Sequence, residues 1–322
     1  MGKKSIIFSV DDRLDLRDDV VSYIRGRLKA IHKGSMNNRV FKDGEVNVDF
    51  QDTVRGRRVY LLTSPNNAIE REKLMFAIDA ARRASAKEII LILPFMPYTR
   101  QDKMDQPRGA IGAKVFSGIW EFLGCNKVIT LELHADQIQG FFNIPVTHIK
   151  GKYLFANYIA DKAREHGGDV ALAAADAGGG KRLEKMAALV HKRHGLDIPI
   201  VFAHKTRIED NKVDKMRIIG VVKNKYVIFL DDMLDTGGTL CAAAGGVMSE
   251  GALGCEGIVT HVLASGDAVS NIESSDLESL LGSNSLIIPT HEKFKELSVA
   301  DEIGKAIIAE DYNLSHNKMQ EG

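Results

Sequence analysis

Residues 226–239 read Tyr-Val-Ile-Phe-Leu-Asp-Asp-Met-Leu-Asp-Thr-Gly-Gly-Thr. An apolar, β-prone run stops at two adjacent carboxylates, Asp231 and Asp232. Asp235 follows, then the small-residue turn Thr236, Gly237, Gly238 and Thr239, and Leu240 to Ser249 reads as a helix. Glycines admit a phosphate close to the backbone, and the amides at a helix start supply donors and the positive end of a dipole. Carboxylates at the same corner can accept hydrogen bonds from vicinal sugar hydroxyls, directly or through a metal ion. An ordinary strand-to-helix turn also carries acids near its helix start. Three acids with a Thr-Gly-Gly-Thr turn exceed what a cap requires. The chemistry this corner suits is the grip of a sugar phosphate.

Other strand ends carry related residues. After the run 88–93 comes Pro94-Phe-Met-Pro-Tyr-Thr-Arg-Gln-Asp-Lys103, which places Arg100 and Gln101 at a strand mouth. Arginine pairs bidentately with phosphate and stacks on flat rings, and glutamine offers a purine edge both a donor and an acceptor. After 127–133 come His134 and Asp136; an imidazole there can meet a divalent metal or a phosphate. In Ala175-Asp-Ala-Gly-Gly-Gly-Lys-Arg182, Asp176 can hold a metal. Gly178, Gly179 and Arg182 can cradle a polyphosphate. The spacing is not that of a Walker A loop. Residues 204–218 are strongly charged, with Lys205 and Arg207 on one side of an extended chain. Two cations on a segment between strands suit a lid over a transferring phosphoryl group. Taken singly, these stretches also read as a polar loop, a structural histidine, a glycine turn and a solvated hairpin. Together they combine sugar phosphate, metal and polyphosphate.

The elements that must position these residues alternate. Strand-like runs are Ser5–Val10, Val46–Phe50, Arg58–Leu62, Glu88–Leu93, Lys127–Leu133, Val170–Ala174, Ile198–Phe202, Lys225–Leu230, Gly257–Val262 and Ser285–Ile288. Helix-like runs include Leu14–His32, Ala68–Ala84, Ala113–Leu123, Tyr153–Glu165, Lys181–Arg193 and Thr239–Ser249. This alternation predicts an α/β fold of right-handed crossovers, with mostly parallel sheets flanked by helices and ligands at the carboxyl ends of strands. A length of 322 residues suits two domains, which we divide as 1–151 and 152–312, with 313–322 as a polar, disordered tail.

Lys plus Arg and Asp plus Glu both number 43, so no overall field points to nucleic acid or to an anionic membrane. The cysteines, Cys125, Cys241 and Cys255, are scattered. They suit neither a disulfide framework nor a zinc site, and they fit a reducing compartment. No run reads as a signal peptide or a membrane span, so the expected location is cytoplasmic.

Five segments carry a family resemblance: Phe41-Lys-Asp-Gly-Glu-Val, Ala80-Ala-Arg-Arg-Ala-Ser-Ala, Pro97-Tyr-Thr-Arg-Gln-Asp-Lys, Leu133-His-Ala-Asp-Gln-Ile-Gln-Gly-Phe-Phe and Asp231-Asp-Met-Leu-Asp-Thr-Gly-Gly-Thr. In this order the chain resembles ribose-phosphate pyrophosphokinases, the phosphoribosyl pyrophosphate synthetases. The last string is shared with phosphoribosyltransferases; the His-Ala-x-Gln-Ile-Gln-Gly-Phe-Phe string is far more specific. The resemblance implies two phosphoribosyltransferase-like domains, with ATP on the N-terminal side and ribose 5-phosphate on the C-terminal side, in a homo-oligomer (a dimer, or a hexamer of dimers). It implies Mg2+ and transfer of the β,γ-diphosphoryl group of ATP to the C1 hydroxyl of ribose 5-phosphate, releasing AMP.

On that pattern Thr236 to Thr239 hold the 5-phosphate, and Asp231 and Asp232 hold the ribose hydroxyls. His134 and Asp176 are the magnesium-linked positions. Lys205 and Arg207 are the lid cations, and Arg100 and Gln101 contact ATP. Phe41, Asp43 and Glu45 belong to a loop that reaches ATP from a neighbouring subunit. The chain departs from the pattern at Phe8-Ser-Val-Asp-Asp and at Asp105–Lys114, the latter matching a stretch that helps form a phosphate and ADP regulatory site. Other readings are the same chemistry on a larger acceptor such as ADP-ribose, a non-catalytic regulatory paralogue, and a phosphoribosyltransferase.

Overall fold

The Ser5–Ser9 run is buried at every residue, as a central parallel strand covered on both faces must be. The computed structural model describes residues 5–11, 13–27, 31–206, 215–312, 314–316 and 319. Two units emerge, Met1–Lys150 with Ser298–Gly322, and Gly151–Leu297.

The first unit begins with β1 (Ser5–Ser9), α1 (Leu14–Arg25), β2 (Ile31–Lys33), the ribbon β3 (Met36–Val40) and β4 (Val46–Phe50), and β5 (Arg58–Leu62). It continues with α2 (Ala68–Arg83), β6 (Glu88–Leu93), α3 (Gly112–Leu123), β7 (Lys127–Leu131) and β8 (Val146–Ile149). Six strands form one sheet in the order β2-β1-β5-β6-β7-β8, all parallel. The ribbon stands as a separate two-stranded antiparallel sheet. Asn67 caps α2 by accepting the Glu70 N–H at 3.0 Å, the local bond that a helix start otherwise lacks. Leu74, Ile78, Leu91, Trp120 and Val128 lie in the core between α2, α3 and the sheet.

The second unit runs α4 (Lys152–Glu165), β9 (Val170–Ala174), α5 (Gly180–His194), β10 (Ile200–Thr206), β11 (Lys215–Ile219) and β12 (Tyr226–Leu234). It closes with α6 (Gly238–Ser249), β13 (Gly254–Val262), α7 (Ala268–Glu273), β14 (Ser279–Ser283) and β15 (Phe294–Leu297). The sheet order is β11-β10-β9-β12-β13-β14-β15. Only the β10–β11 edge pair is antiparallel. The α/β class with mostly parallel sheets flanked by helices therefore stands.

Several boundaries differ from expectation. The expected helix 14–32 ends at Arg25, and Ile31–Lys33 instead pairs with β1. The expected strand at 285–288 is absent. Pairing with β13 selects Ser279–Ser283, and β15 follows. Helix α8 (Ala300–Tyr312), counted above in the second domain, groups with the first unit. The tail 313–322 lies partly outside the described residues.

An ionic latch explains where α8 goes. Asp311 Oδ1 accepts from Arg58 Nη1 at 2.6 Å and from the Tyr60 hydroxyl at 3.0 Å, and Oδ2 accepts from Ser5 Oγ at 3.2 Å. Arg58 Nε also donates to Glu88 Oε2 at 2.7 Å, and Lys127 pairs with Glu310. Burial, with the Asp311 charge beside it, holds the Tyr60 hydroxyl protonated far above the ordinary phenol range. Removing one partner of a buried pair leaves the other charge uncompensated. Asp311→Ala should therefore cost about 3 kcal/mol, read as a lowered urea midpoint, and Asp311→Asn should cost less.

Candidate functional site

In the second unit the chain winds β9, β10, β11 to one side and β12 to β15 to the other. The direction of winding reverses between β9 and β12, and a doubly wound sheet opens its ligand crevice at that point. The loops leaving these two strands are the Asp176–Arg182 and Asp231–Thr239 segments singled out by their composition.

β12 does not stop at Leu230. It continues to Leu234 because β13 offers a partner along the whole length, with Asp231 opposite Val259 and Met233 opposite His261. The two acids thus sit inside the strand. Alternation makes Asp232 the inner one, with its side chain 5% exposed, and Asp231 the outer one at 36%. Arg182, from the first turn of α5, reaches both: Nη1 to Asp231 Oδ1 and Nη2 to Asp232 Oδ1, each at 2.7 Å. The Asp232 N–H also donates to Asp231 Oδ1 at 2.8 Å. Burial, with Asp232 bonded to it, pushes the Asp231 carboxyl up to about 7, while the Arg182 charge pulls the other way.

Beyond the acids, Gly237 adopts φ +79°, the left-handed region that glycine enters without strain, and turns the chain into α6. Asn271 Nδ2 donates to the Thr236 carbonyl at 2.9 Å, and the Ser265 N–H to the Asp235 carbonyl at 3.0 Å. These bonds fix the turn from α7 and from the β13–α7 loop. Among the described residues no side chain caps the start of α6, and Thr236, Gly238 and Thr239 are exposed. The first-turn amides therefore face no competing acceptor of their own helix, the arrangement that an anion completes. Asp176 is exposed and caps the β9–α5 turn, its Oδ1 accepting the Gly179 N–H at 3.0 Å. Gly178 lies between them in the turn.

In the first unit Arg100, Gln101 and His134 are exposed at the mouths of the adjacent strands β6 and β7. Gln137 Nε2 donates to Asp102 Oδ2 at 3.3 Å, which ties the two loops together. The buried ring of His148 accepts the Leu133 N–H at 2.9 Å and so fixes the residue before His134; Lys150 pairs with Asp136. Phe41, Asp43 and Glu45 lie exposed on the turn of the β3–β4 ribbon. The Phe41 N–H bonds the Glu45 carbonyl at 2.8 Å, and Asp43 accepts the Glu45 N–H at 3.2 Å. Lys205 lies on β10; Arg207 and the rest of 207–214 are outside the described residues. Among the described residues, no three of His, Cys, Asp and Glu form a ready metal cage.

Three features escaped the reading of the sequence. One is that Arg182 spans both acids. Another is His148. The third is buried Asp11, which accepts Thr63 Oγ1 at 3.1 Å, the Ser64 N–H at 2.9 Å and Ser9 Oγ at 3.1 Å. Asp11 follows a strand just as the other acids do, and that signal was available.

Paired carboxylates and an uncapped helix start thus stand together at the switch point of a doubly wound α/β sheet. A family model for the N-terminal domain of ribose phosphate pyrophosphokinase matches residues 5–124, and one for the phosphoribosyl synthetase-associated domain matches 192–318. The ribose-phosphate pyrophosphokinase of Porphyromonas gingivalis is 39% identical over 279 residues, covering 85% of this chain and 86% of the relative. That of Listeria ivanovii is 34% identical over 320 residues, covering 98% and 96%. The crystal structure of phosphoribosylpyrophosphate synthetase from Mycobacterium smegmatis superposes with a TM-score of 0.86 at 30% identity, covering 97% of this chain and all of that one. The chain belongs to the ribose-phosphate pyrophosphokinase family, and it is an enzyme.

The acid pair sets a pH dependence. With Asp231 raised to about 7, its acceptor form grows as pH rises through that value, so a ligand whose hydroxyl donates to it should bind more tightly at about pH 8 than at about pH 6. For stability the sign is opposite. The folded state holds a proton that the unfolded state releases near 3.8, so this contribution is lost as pH rises toward 7. Arg182→Gln removes the opposing charge and should move the midpoint of the binding profile upward. Titration calorimetry across pH reads it, and an unmoved midpoint would show that Arg182 does not govern the pair.

Proposed function

We propose that this enzyme makes 5-phosphoribosyl 1-pyrophosphate and AMP from ATP and ribose 5-phosphate. The observation that carries this reading is the switch-point corner, where paired carboxylates and bare helix-start amides stand together. The C1 hydroxyl oxygen attacks the β-phosphorus, a C1–O–Pβ bond forms, and the bond from Pβ to the oxygen kept by AMP breaks. The hydroxyl proton leaves to solvent.

In this scheme Thr236, Gly237, Gly238 and Thr239 receive the 5-phosphate, and Asp231, Asp232 and Asp235 orient the ribose side. Oriented carboxylate acceptors hold a hydroxyl without needing a strong base, since positioning supplies much of the barrier reduction in phosphoryl transfer. Arg100 and Gln101 hold ATP, with Phe41, Asp43 and Glu45 as further ATP contacts. Gly178, Gly179 and Arg182 line the pyrophosphate loop. Lys205, Arg207 and Arg100 neutralise charge growing on the transferred group and the leaving AMP. Asp176 and His134 would hold Mg2+, which would supply neutralisation of phosphate charge.

Magnesium favours one or two carboxylates completed by phosphates and water, and exposed Asp176 fits that preference. His134, a softer nitrogen donor, is the second magnesium-linked position of the proposal and is exposed at the mouth of β7. A homo-oligomer in the cytoplasm is part of the same proposal. The free cysteines suit the compartment, and no described helix is long and apolar enough to cross a membrane.

Purified protein with ATP and Mg2+ should release AMP only when ribose 5-phosphate is present, and ADP-ribose should not replace it. AMP release with ADP-ribose alone, or with neither acceptor, would overturn the assignment. Lys205→Ala should lower kcat on the order of 100-fold and leave the affinity for ribose 5-phosphate nearly intact, as loss of a transition-state charge partner does.

A further inference from the structure

We propose that Tyr98, Phe116 and Arg71 act together as a clamp that positions the Arg100–Gln101 tip. The proposal rests on the reading that this tip holds ATP. Tyr98 is two residues before Arg100 and adopts φ +63°, a backbone conformation that a ring-bearing residue rarely takes. Such a residue persists only where its surroundings hold it.

The holding contacts are specific. The Tyr98 ring stacks on Phe116 of α3, with centroids 4.7 Å apart and planes 8° from parallel. The Arg71 guanidinium, from α2, lies 5.0 Å from the Tyr98 ring centroid and 5.8 Å from that of Phe116. A cation over aromatic faces at this range is attracted by the ring quadrupoles. Phe116 in turn meets fully buried Trp120 at 5.9 Å. The chain of contacts therefore runs from the core of the first unit through two rings to the loop.

The backbone completes the tie. The Gln101 N–H bonds the Tyr98 carbonyl at 2.8 Å, and the Ala113 N–H bonds the Gln101 carbonyl at 3.3 Å. A Cβ on Gly112 would stand 2.6 Å from Gln101 Oε1 and 3.0 Å from the Tyr98 ring. Gln101 therefore sits directly against the start of α3.

The stack is also the inner wall of an open groove of about 900 Å3 between α2 and α3, lined further by Met75, Phe76, Ile119 and Phe122. Phe116 is the best handle on the stack, since it lies on α3, outside the loop that bears Arg100 and Gln101.

The test compares Phe116→Leu and Phe116→Tyr with the unaltered enzyme, alongside Arg71→Met. Phe116→Leu should raise the KM for ATP about fivefold, the effect of losing one aromatic pair, with the KM for ribose 5-phosphate unchanged. Phe116→Tyr, which keeps the ring, should restore the ATP value, and Arg71→Met should move it in the same direction as the leucine. Equilibrium titration with a fluorescent ATP analogue should show the same ratios without turnover. An unchanged ATP affinity in Phe116→Leu, with only a lower melting temperature, overturns the clamp and leaves a packing role. Equal losses for both substrates overturn it as well. If the unaltered enzyme neither binds ATP nor releases AMP, the proposed function fails, and the clamp fails with it.

Discussion

Two carboxylates on neighbouring residues of one strand repel each other, and here they stand at the same corner as an anion-binding helix start. Arg182 makes that arrangement possible. Its planar fork meets both acids at once, which a point charge such as lysine could not match. The guanidinium thereby joins the end of β12 to the first turn of α5 at the switch point. The second unit's candidate site depends on this bond. It brings the two acids and the turn that opens α5 into one constellation. The Arg182 charge also opposes the burial and the Asp232 contact that push the Asp231 carboxyl up.

The two units use one architectural idea in two ways. Each is a doubly wound sheet with a switch point, between β1 and β5 in the first and between β9 and β12 in the second. In the second, that crevice carries the acid pair and the bare helix start. In the first, Asp11 fills the same position, and its oxygens are consumed by Ser9, Thr63 and Ser64. A buried, fully bonded carboxylate stabilises the strand ends and has little capacity left for a ligand. The exposed polar residues of the first unit are displaced to the mouths of β6 and β7. Sheets of the same winding thus carry their exposed polar residues at different strand ends.

Much of this was legible in the residues. The strand–turn–helix corner at 226–239 and its glycine-rich counterpart at 175–182 announce themselves, because acids and glycines after an apolar run have few other uses. The resemblance then assigned them chemistry. What stayed hidden is tertiary. Nothing local tells β12 to continue through two aspartates, which are poor strand formers; the nine-residue partner β13 imposes it. Nothing local places α8 with the first unit, since the Asp311–Arg58 bond joins residues 253 positions apart. The span of Arg182 over both acids likewise crosses about fifty positions of sequence. The Tyr98 clamp depends on a stack between loop and helix that hydrophobic periodicity cannot register.

A crystal structure of the enzyme grown with ribose 5-phosphate tests the central claim most directly. The 5-phosphate should lie in the turn formed by Thr236, Gly237, Gly238 and Thr239, with the ring hydroxyls bonded to Asp231 and Asp232. A sugar phosphate bound away from β12 and α6, with Arg182 still closed over both acids, would contradict it.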